Sequence, residues 1–326
     1  MVRTTTFDRE FRLASTNRKS TNQLIEPMAT KKSTHALAGT GVAVVTPFHK
    51  DGSVDYPSLT NVINHIVKGK CEYLVIMGTT GESPTLNKDE KKAILKHALK
   101  VAAGRVPVVY GVGGYNTSEV CDQLEHTDFS GVTAILSVSP FYNKPNQRGL
   151  YEHYRAIANS SPLPVIMYNV PARTGMNMTA DTTLKLAHDF PRLVAMKEAS
   201  GNMEQIMAII KDAPKDFLTI SGDDLLTLPI IAAGAHGVIS VVANAFPRKF
   251  SDMVRHSLAG DFAKARPLHY DLMRVTQLFF SDGSPGGVKV SLEAQKLCKP
   301  NLRLPLMPVN DVVKAAIIKE TKRIVK

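Results

Sequence analysis

The sequence predicts an α/β protein folded as a (β/α)8 TIM barrel with a C-terminal helical appendage, and three observations carry that prediction. Eight short Val/Ile-rich runs alternate with amphipathic segments from residue 40 onward. The runs are not strictly alternating in polarity, as strands buried on both faces should be. No GxGxxG opens a helix after the first run, which disfavours a doubly wound dinucleotide-binding sheet, and a count of eight favours closure.

The strands are placed at 42–46, 73–77, 106–110, 133–138, 165–168, 193–197, 217–221 and 237–241. A helix follows each. The first, over 57–68, puts Leu59, Val62, Ile63 and Ile66 on one face. The second, over 88–102, opens with Asn87 and Glu90 at capping-box spacing, and Asn116 with Glu119 repeats that spacing for the third. Further helices are expected at 147–160, 180–189, 203–212, 224–233 and 247–257. Beyond residue 260 the pattern is helical only, at 261–280, 284–298 and 309–325. The expected organisation is an extension over 1–34, a barrel over 35–258 and a helical region over 259–326.

Composition narrows the class. The chain has 326 residues, 44% hydrophobic and 21% charged, enough to bury a substantial core without disulfides. Cys71, Cys121 and Cys298 are odd in number and far apart, which fits a reducing cytoplasm better than a disulfide framework. No CxxC, HxxxH or His/Cys cluster points to a metal. The net charge is +11, and residues 1–34 hold seven Lys/Arg against three Asp/Glu. The remaining excess is dispersed, without the stripe or interleaved aromatics that nucleic acid requires. No apolar stretch reaches the roughly 18 residues of a membrane span. The first 27 residues lack the apolar segment of a secretory signal. They are expected to be disordered, with Met28 as an alternative start and a transit peptide as the competing assignment.

In a barrel, reactive groups project from the C-terminal ends of the strands. Those ends carry Thr46, Gly78-Thr79-Thr80-Gly81-Glu82, Tyr142, Tyr168, Lys197 and Ser221-Gly222-Asp223-Asp224. Lys197 closes the apolar run Leu193-Val194-Ala195-Met196. Desolvation favours the neutral form of an amine, and a neutral amine attacks a ketone to form a Schiff base. The alternative is a lysine that pairs with Glu198 or reaches solvent. Tyr168 also ends an apolar strand, where a phenol can shuttle protons; the alternative is a core tyrosine. The glycine-flanked turn at 78–82 offers backbone N–H groups and hydroxyls to a carboxylate, or is an ordinary βα turn. Glu82 reads as a brace for that turn, and His236 as a structural residue. Arg173, on the loop after Tyr168, suits bidentate carboxylate recognition or a loop salt bridge. A lysine, a tyrosine and an anion-holding turn converge on one barrel mouth, and jointly they point to Schiff-base chemistry more strongly than any of the three does alone.

These motifs resemble the family of dihydrodipicolinate synthase and N-acetylneuraminate lyase. The resemblance spans residues 39 to about 320 and rests on Gly78-Thr79-Thr80-Gly81-Glu82-Ser83 with Glu90, and on Tyr168-Asn169-Val170-Pro171 with Lys197-Glu198-Ala199 downstream. Gly41-Val42-Ala43-Val44-Val45-Thr46-Pro47-Phe48 supports both. Pro140-Phe141-Tyr142-Asn143-Lys144-Pro145 and Arg173 match the branch that condenses pyruvate with L-aspartate 4-semialdehyde to 4-hydroxy-tetrahydrodipicolinate, toward lysine and diaminopimelate. A sialic-acid-lyase-like aldolase would differ at both, and a non-catalytic keto-acid sensor would not need Lys197, Tyr168 and Thr79 together.

The resemblance implies that Lys197 is the nucleophile and that Thr79, Tyr142 and Tyr168 form a proton relay, with Tyr142 entering a neighbouring subunit's site. It further implies that Thr80 N–H holds the pyruvate carboxylate, that Arg173 takes the aldehyde's carboxylate, and that Gly222 and Ile239 contribute carbonyls. No metal or organic cofactor is implied. A cytoplasmic homotetramer built from tight dimers is. The family's lysine-feedback pocket is altered here: Lys88 and Lys91 replace imidazoles, Phe141 a tyrosine and Tyr115 an asparagine, while Glu119 is kept. Lysine inhibition is therefore expected to be weak or absent.

Overall fold

A computed structural model describes residues 36–326. The expectations for the extension, the transit peptide and Met28 lie outside the described residues. The eight strands are β1 (Gly39–Ala43), β2 (Tyr73–Ile76), β3 (Val108–Gly111), β4 (Ala134–Val138), β5 (Val165–Asn169), β6 (Leu193–Glu198), β7 (Leu218–Ser221) and β8 (Gly237–Ser240). They pair in parallel in chain order, and β8 returns to β1. The barrel is closed, as the count of eight predicts.

Helices α1 (Tyr56–Lys68), α2 (Lys88–Ala102), α3 (Thr117–His126), α4 (Gln147–Ser160), α5 (Ala180–Asp189), α6 (Met203–Asp212), α7 (Thr227–Ala232) and α8 (Pro247–Leu258) follow their strands. Then come α9 (Phe262–Phe280), α10 (Gly286–Ala294) and α11 (Asp311–Ile324). Alternation along β2 shows how the core divides. Leu74 and Ile76 join the cluster shared with the helices, whereas Tyr73 and Val75 join a second cluster inside the barrel. Val275, Phe279, Val288 and Ile317, from the last three helices, belong to the same cluster as Val62 and Ile63 of α1.

Local chemistry explains the boundaries. α1 buries Leu59, Val62, Ile63 and Ile66 and is capped by Asp55, which accepts from Ser58 N–H. α2 has the full capping box: Asn87 accepts from Glu90 N–H, and Glu90 from Asn87 N–H. The same spacing at α3 does not close that way. Asn116 caps Ser118 N–H, and its amide donates to the Glu119 side chain instead.

Three elements depart from expectation by three residues or more. β1 begins three residues early, where Gly39 and Thr40 pair with Gly237 and Val238 of β8, and ends three early, where the N–H of Val45 is taken by Asn244 Oδ1 at 3.1 Å. α7 starts at Thr227 rather than 224. Asp223 is engaged in turning the chain, accepting from Leu225 and Leu226 N–H, and Asp224 reaches across to β8. α10 stops at Ala294 rather than 298, where Lys296 adopts a left-handed φ of 61°.

Candidate active site

Lys197 lies on β6, 5% exposed, directly beside Tyr168 of β5 in the strand register. Its Nζ is 4.1 Å from the centroid of the Tyr168 ring. Gly222 makes room for it. A Cβ on that glycine would lie 2.7 Å from Ala199 Cβ and 3.1 Å from Lys197 Cε. The lysine therefore occupies the barrel, and neither Glu198 nor solvent takes it. Glu198 points to the other face of the strand, where Asn169, Gln205 and Ser200 N–H donate to it.

Tyr168 is 5% exposed. Its backbone is pinned on both sides: its carbonyl accepts from Ser139 N–H at 2.9 Å, and its N–H donates to Tyr154 Oη at 3.4 Å. Tyr154, in turn, donates to Ser137 O.

Thr79 and Thr80 form a tight helical turn, Thr79–Gly81, directly after β2. Thr46, at the end of the first strand segment, donates its hydroxyl to Gly81 O at 2.7 Å and fixes that turn from β1's side. From the far side Glu82 anchors it, in a left-handed conformation with φ 54°. The Glu82 carboxylate is fully enclosed. It accepts from Lys289 Nζ at 2.5 Å and from Arg303 N–H at 3.1 Å. Glu82 is a brace, as its sequence position suggests.

A cavity of about 490 Å³ opens over Thr79 and Tyr168; Lys197 and Thr80 lie outside its lining, Lys197 behind the Tyr168 ring that it contacts. Thr79, Tyr168 and Arg173 line it together, with Gly78, Val138 and Val170. Arg173 lies on a single helical turn, Pro171–Thr174, which Thr174 closes through its hydroxyl to Val170 O and Met176 O. Arg173 is exposed, and it joins none of the ion pairs found among the described residues. The same cavity continues to Lys91, Tyr115, Glu119 and Phe141. Tyr115 packs edge-on against Phe141 at 5.3 Å, and burial lowers the pKa of Lys91.

The other expected residues are placed less centrally. Thr80 is buried and Gly222 half-buried; Ile239 is buried on β8 beside Gly41. Tyr142 is 90% exposed with a left-handed φ of 61°, outside the cavity lining. His236 accepts from Thr219 N–H at 3.1 Å and bridges the ends of β7 and β8, a structural role.

Two features escaped the sequence. Lys289 is fully buried, yet it stands in Val288-Lys289-Val290, the same lysine-in-an-apolar-run signal that marks Lys197. Asp224 is also buried. It accepts from Ser240 and from Val241 N–H, and burial raises its carboxyl to about 6 against the opposing Ser240 hydrogen bond. It ties the β7 and β8 ends, and nothing local in the sequence marks that long-range pairing.

A family model described as the dihydrodipicolinate synthetase family matches residues 36–324. The 4-hydroxy-tetrahydrodipicolinate synthase of Parabacteroides distasonis is 50% identical over 276 residues, covering 85% of this chain and 93% of that protein. The crystal structure of dihydrodipicolinate synthase from Aquifex aeolicus superposes with a TM-score of 0.85 at 40% identity, covering 88% of this chain and 98% of that one. The chloride-inhibited dihydrodipicolinate synthase from Acinetobacter baumannii, solved in complex with pyruvate, gives 0.85 at 35% identity over 87% of this chain and 98% of that one.

Proposed function

Because this chain belongs to the dihydrodipicolinate synthetase family, we propose that it is a lyase that condenses pyruvate with L-aspartate 4-semialdehyde to give 4-hydroxy-tetrahydrodipicolinate, in lysine and diaminopimelate biosynthesis. The observation that carries the chemistry is Lys197, buried on β6 with its Nζ 4.1 Å from the Tyr168 ring. A lysine held dry against a phenol is placed to attack a ketone and exchange protons with its neighbour.

The proposed steps start at Lys197. Lys197 Nζ adds to the pyruvate carbonyl carbon, and loss of water gives the imine. Thr80 N–H and the turn around it hold the pyruvate carboxylate, as backbone N–H nests hold anions. Tyr168 relays protons with Thr79 as a methyl proton leaves and the enamine forms. The enamine carbon attacks the aldehyde carbon of the second substrate, whose carboxylate Arg173 receives. The amine of that substrate then closes on the imine carbon and releases Lys197, completing the ring. Gly222 and Ile239 offer backbone carbonyls near the reacting groups. Pyruvate in the Acinetobacter baumannii relative supports the first substrate.

Tyr142 completes the relay from a neighbouring subunit in a cytoplasmic homotetramer. Its 90% exposure and strained left-handed backbone support a partner for it outside its own barrel. No helix among the described residues is long and apolar enough to cross a membrane.

The test is steady-state turnover with pyruvate and each of two aldehydes. Aspartate semialdehyde should be consumed and N-acetylmannosamine should not. Turnover of N-acetylmannosamine alone would move the chain to the sialic-acid-lyase branch.

A further inference from the structure

The ion pair between Lys289 and Glu82 is fully enclosed, with both side chains 0% exposed. Such a pair is costly to bury and is not explained by stability alone, since an apolar pair of similar volume is often as stable. Its position suggests another role. Glu82 directly follows the Thr79–Gly81 turn, and Lys289 lies on α10, far away in sequence. Each remaining contact adds to the same clamp. Lys289 Nζ also donates to Asn301 O at 2.8 Å and lies 4.5 Å from the Phe48 ring centroid. Arg303 covers the same ring at 4.6 Å and donates to Thr85 O and Gly52 O at 2.8 Å each. It also pairs with Glu90, the capping residue of α2. α10 is itself seated tightly: a Cβ on Gly287 would lie 2.6 Å from Phe279 Cα of α9.

We infer that Lys289, with Glu82, is a positioning residue that uses the C-terminal helices to hold the Thr79–Gly81 turn in its pyruvate-binding geometry. The helices after the barrel are then part of the site's machinery, acting from behind the turn. The fixed turn presents Thr79 to the cavity and Thr80 N–H to the carboxylate. A turn released from the clamp would still fold, but with the N–H groups misaimed, and small misplacements of orienting groups cost rate steeply. The inference rests on the pyruvate role assigned to this turn.

The test uses the full chain. Lys289→Met leaves Glu82 buried without its cation and is expected to destabilise, so Glu82→Gln/Lys289→Met is made beside it to remove both charges together. Each is assayed for pyruvate KM, aldehyde KM at saturating pyruvate, borohydride trapping at subsaturating pyruvate, and thermal unfolding. The double variant should unfold near the parent temperature, raise the pyruvate KM by about tenfold or more and trap Lys197 more slowly. The aldehyde KM should stay within about twofold, because Arg173 is held by a different loop. A folded double variant with the parent's pyruvate KM and trapping rate overturns the inference. If the double variant does not fold, Glu82→Asp decides, since it keeps both charges and shortens the arm. It too should raise the pyruvate KM, and a parental value there overturns the inference equally. Trapping in the unaltered chain is the control: if that fails, the aldolase assignment has failed rather than the clamp.

Discussion

Two loops line the cavity, one after β2 and one after β5, and each is anchored by a buried glutamate in a different way. Behind the β2 turn, Glu82 meets a full cation, Lys289, and one backbone N–H from Arg303. Behind the β5 loop, Glu198 is also 1% exposed, but its partners are Asn169, Gln205 and Ser200 N–H, all neutral. Asn169 and Gln205 also bond Asn177, and Asn169 accepts from Met178 N–H, so the network continues into the chain that follows Arg173. An ion pair has one satisfied arrangement. An amide network has several, because amides can turn over and exchange donor for acceptor. The comparison implies a stiff support for the turn proposed to hold the first substrate and an adjustable one for the loop proposed to receive the second.

The sharpest way to break the comparison is to neutralise each glutamate. Glu82→Gln strands a buried ammonium and should cost about 3–5 kcal/mol of stability, read from urea unfolding. A loss below about 1 kcal/mol would mean that the pair is no clamp. Next in size is Arg173→Ala, which removes the charged end of the adjustable loop. It should weaken aldehyde kcat/KM by about 2–5 kcal/mol and leave pyruvate trapping intact; unchanged aldehyde kinetics would remove Arg173 from substrate recognition. Glu198→Gln should cost only about 1–3 kcal/mol, because the neighbouring amides can turn to meet the new one. A loss as large as that of Glu82→Gln would erase the distinction between the two supports.

The smallest expected effect concerns the outer end of the cavity. Lys91, Tyr115 and Phe141 stand there with Glu119, and Lys88 is exposed nearby. Free L-lysine should bind there weakly or not at all. Half-inhibition below roughly 1 mM, equivalent to about −4 kcal/mol, would show that the chain builds a lysine pocket from these residues.

The barrel was legible because eight Val/Ile-rich runs and their capped helices are local signals, each readable within about a dozen residues. Lys197, Tyr168 and the Thr79–Thr80 turn were legible because a polar residue ending an apolar strand is conspicuous, and the structure brings Thr79, Tyr168 and Arg173 to one cavity. What stayed hidden is long-range. The partner of Glu82 lies on α10, and that of Asp224 on β8. No period or spacing links such residues before the chain is folded. Tyr142 shows the same limit from the other direction, since it is 90% exposed and stands outside the cavity lining.

The central claim is that Lys197 is the Schiff-base nucleophile. The direct measurement is incubation with pyruvate and borohydride, followed by mass spectrometry of the digested chain. The account predicts a single reduced pyruvate adduct on the peptide carrying Lys197, abolished in Lys197→Ala and in Lys197→Arg. A full-strength adduct on any other lysine, or an undiminished one in Lys197→Ala, would contradict it.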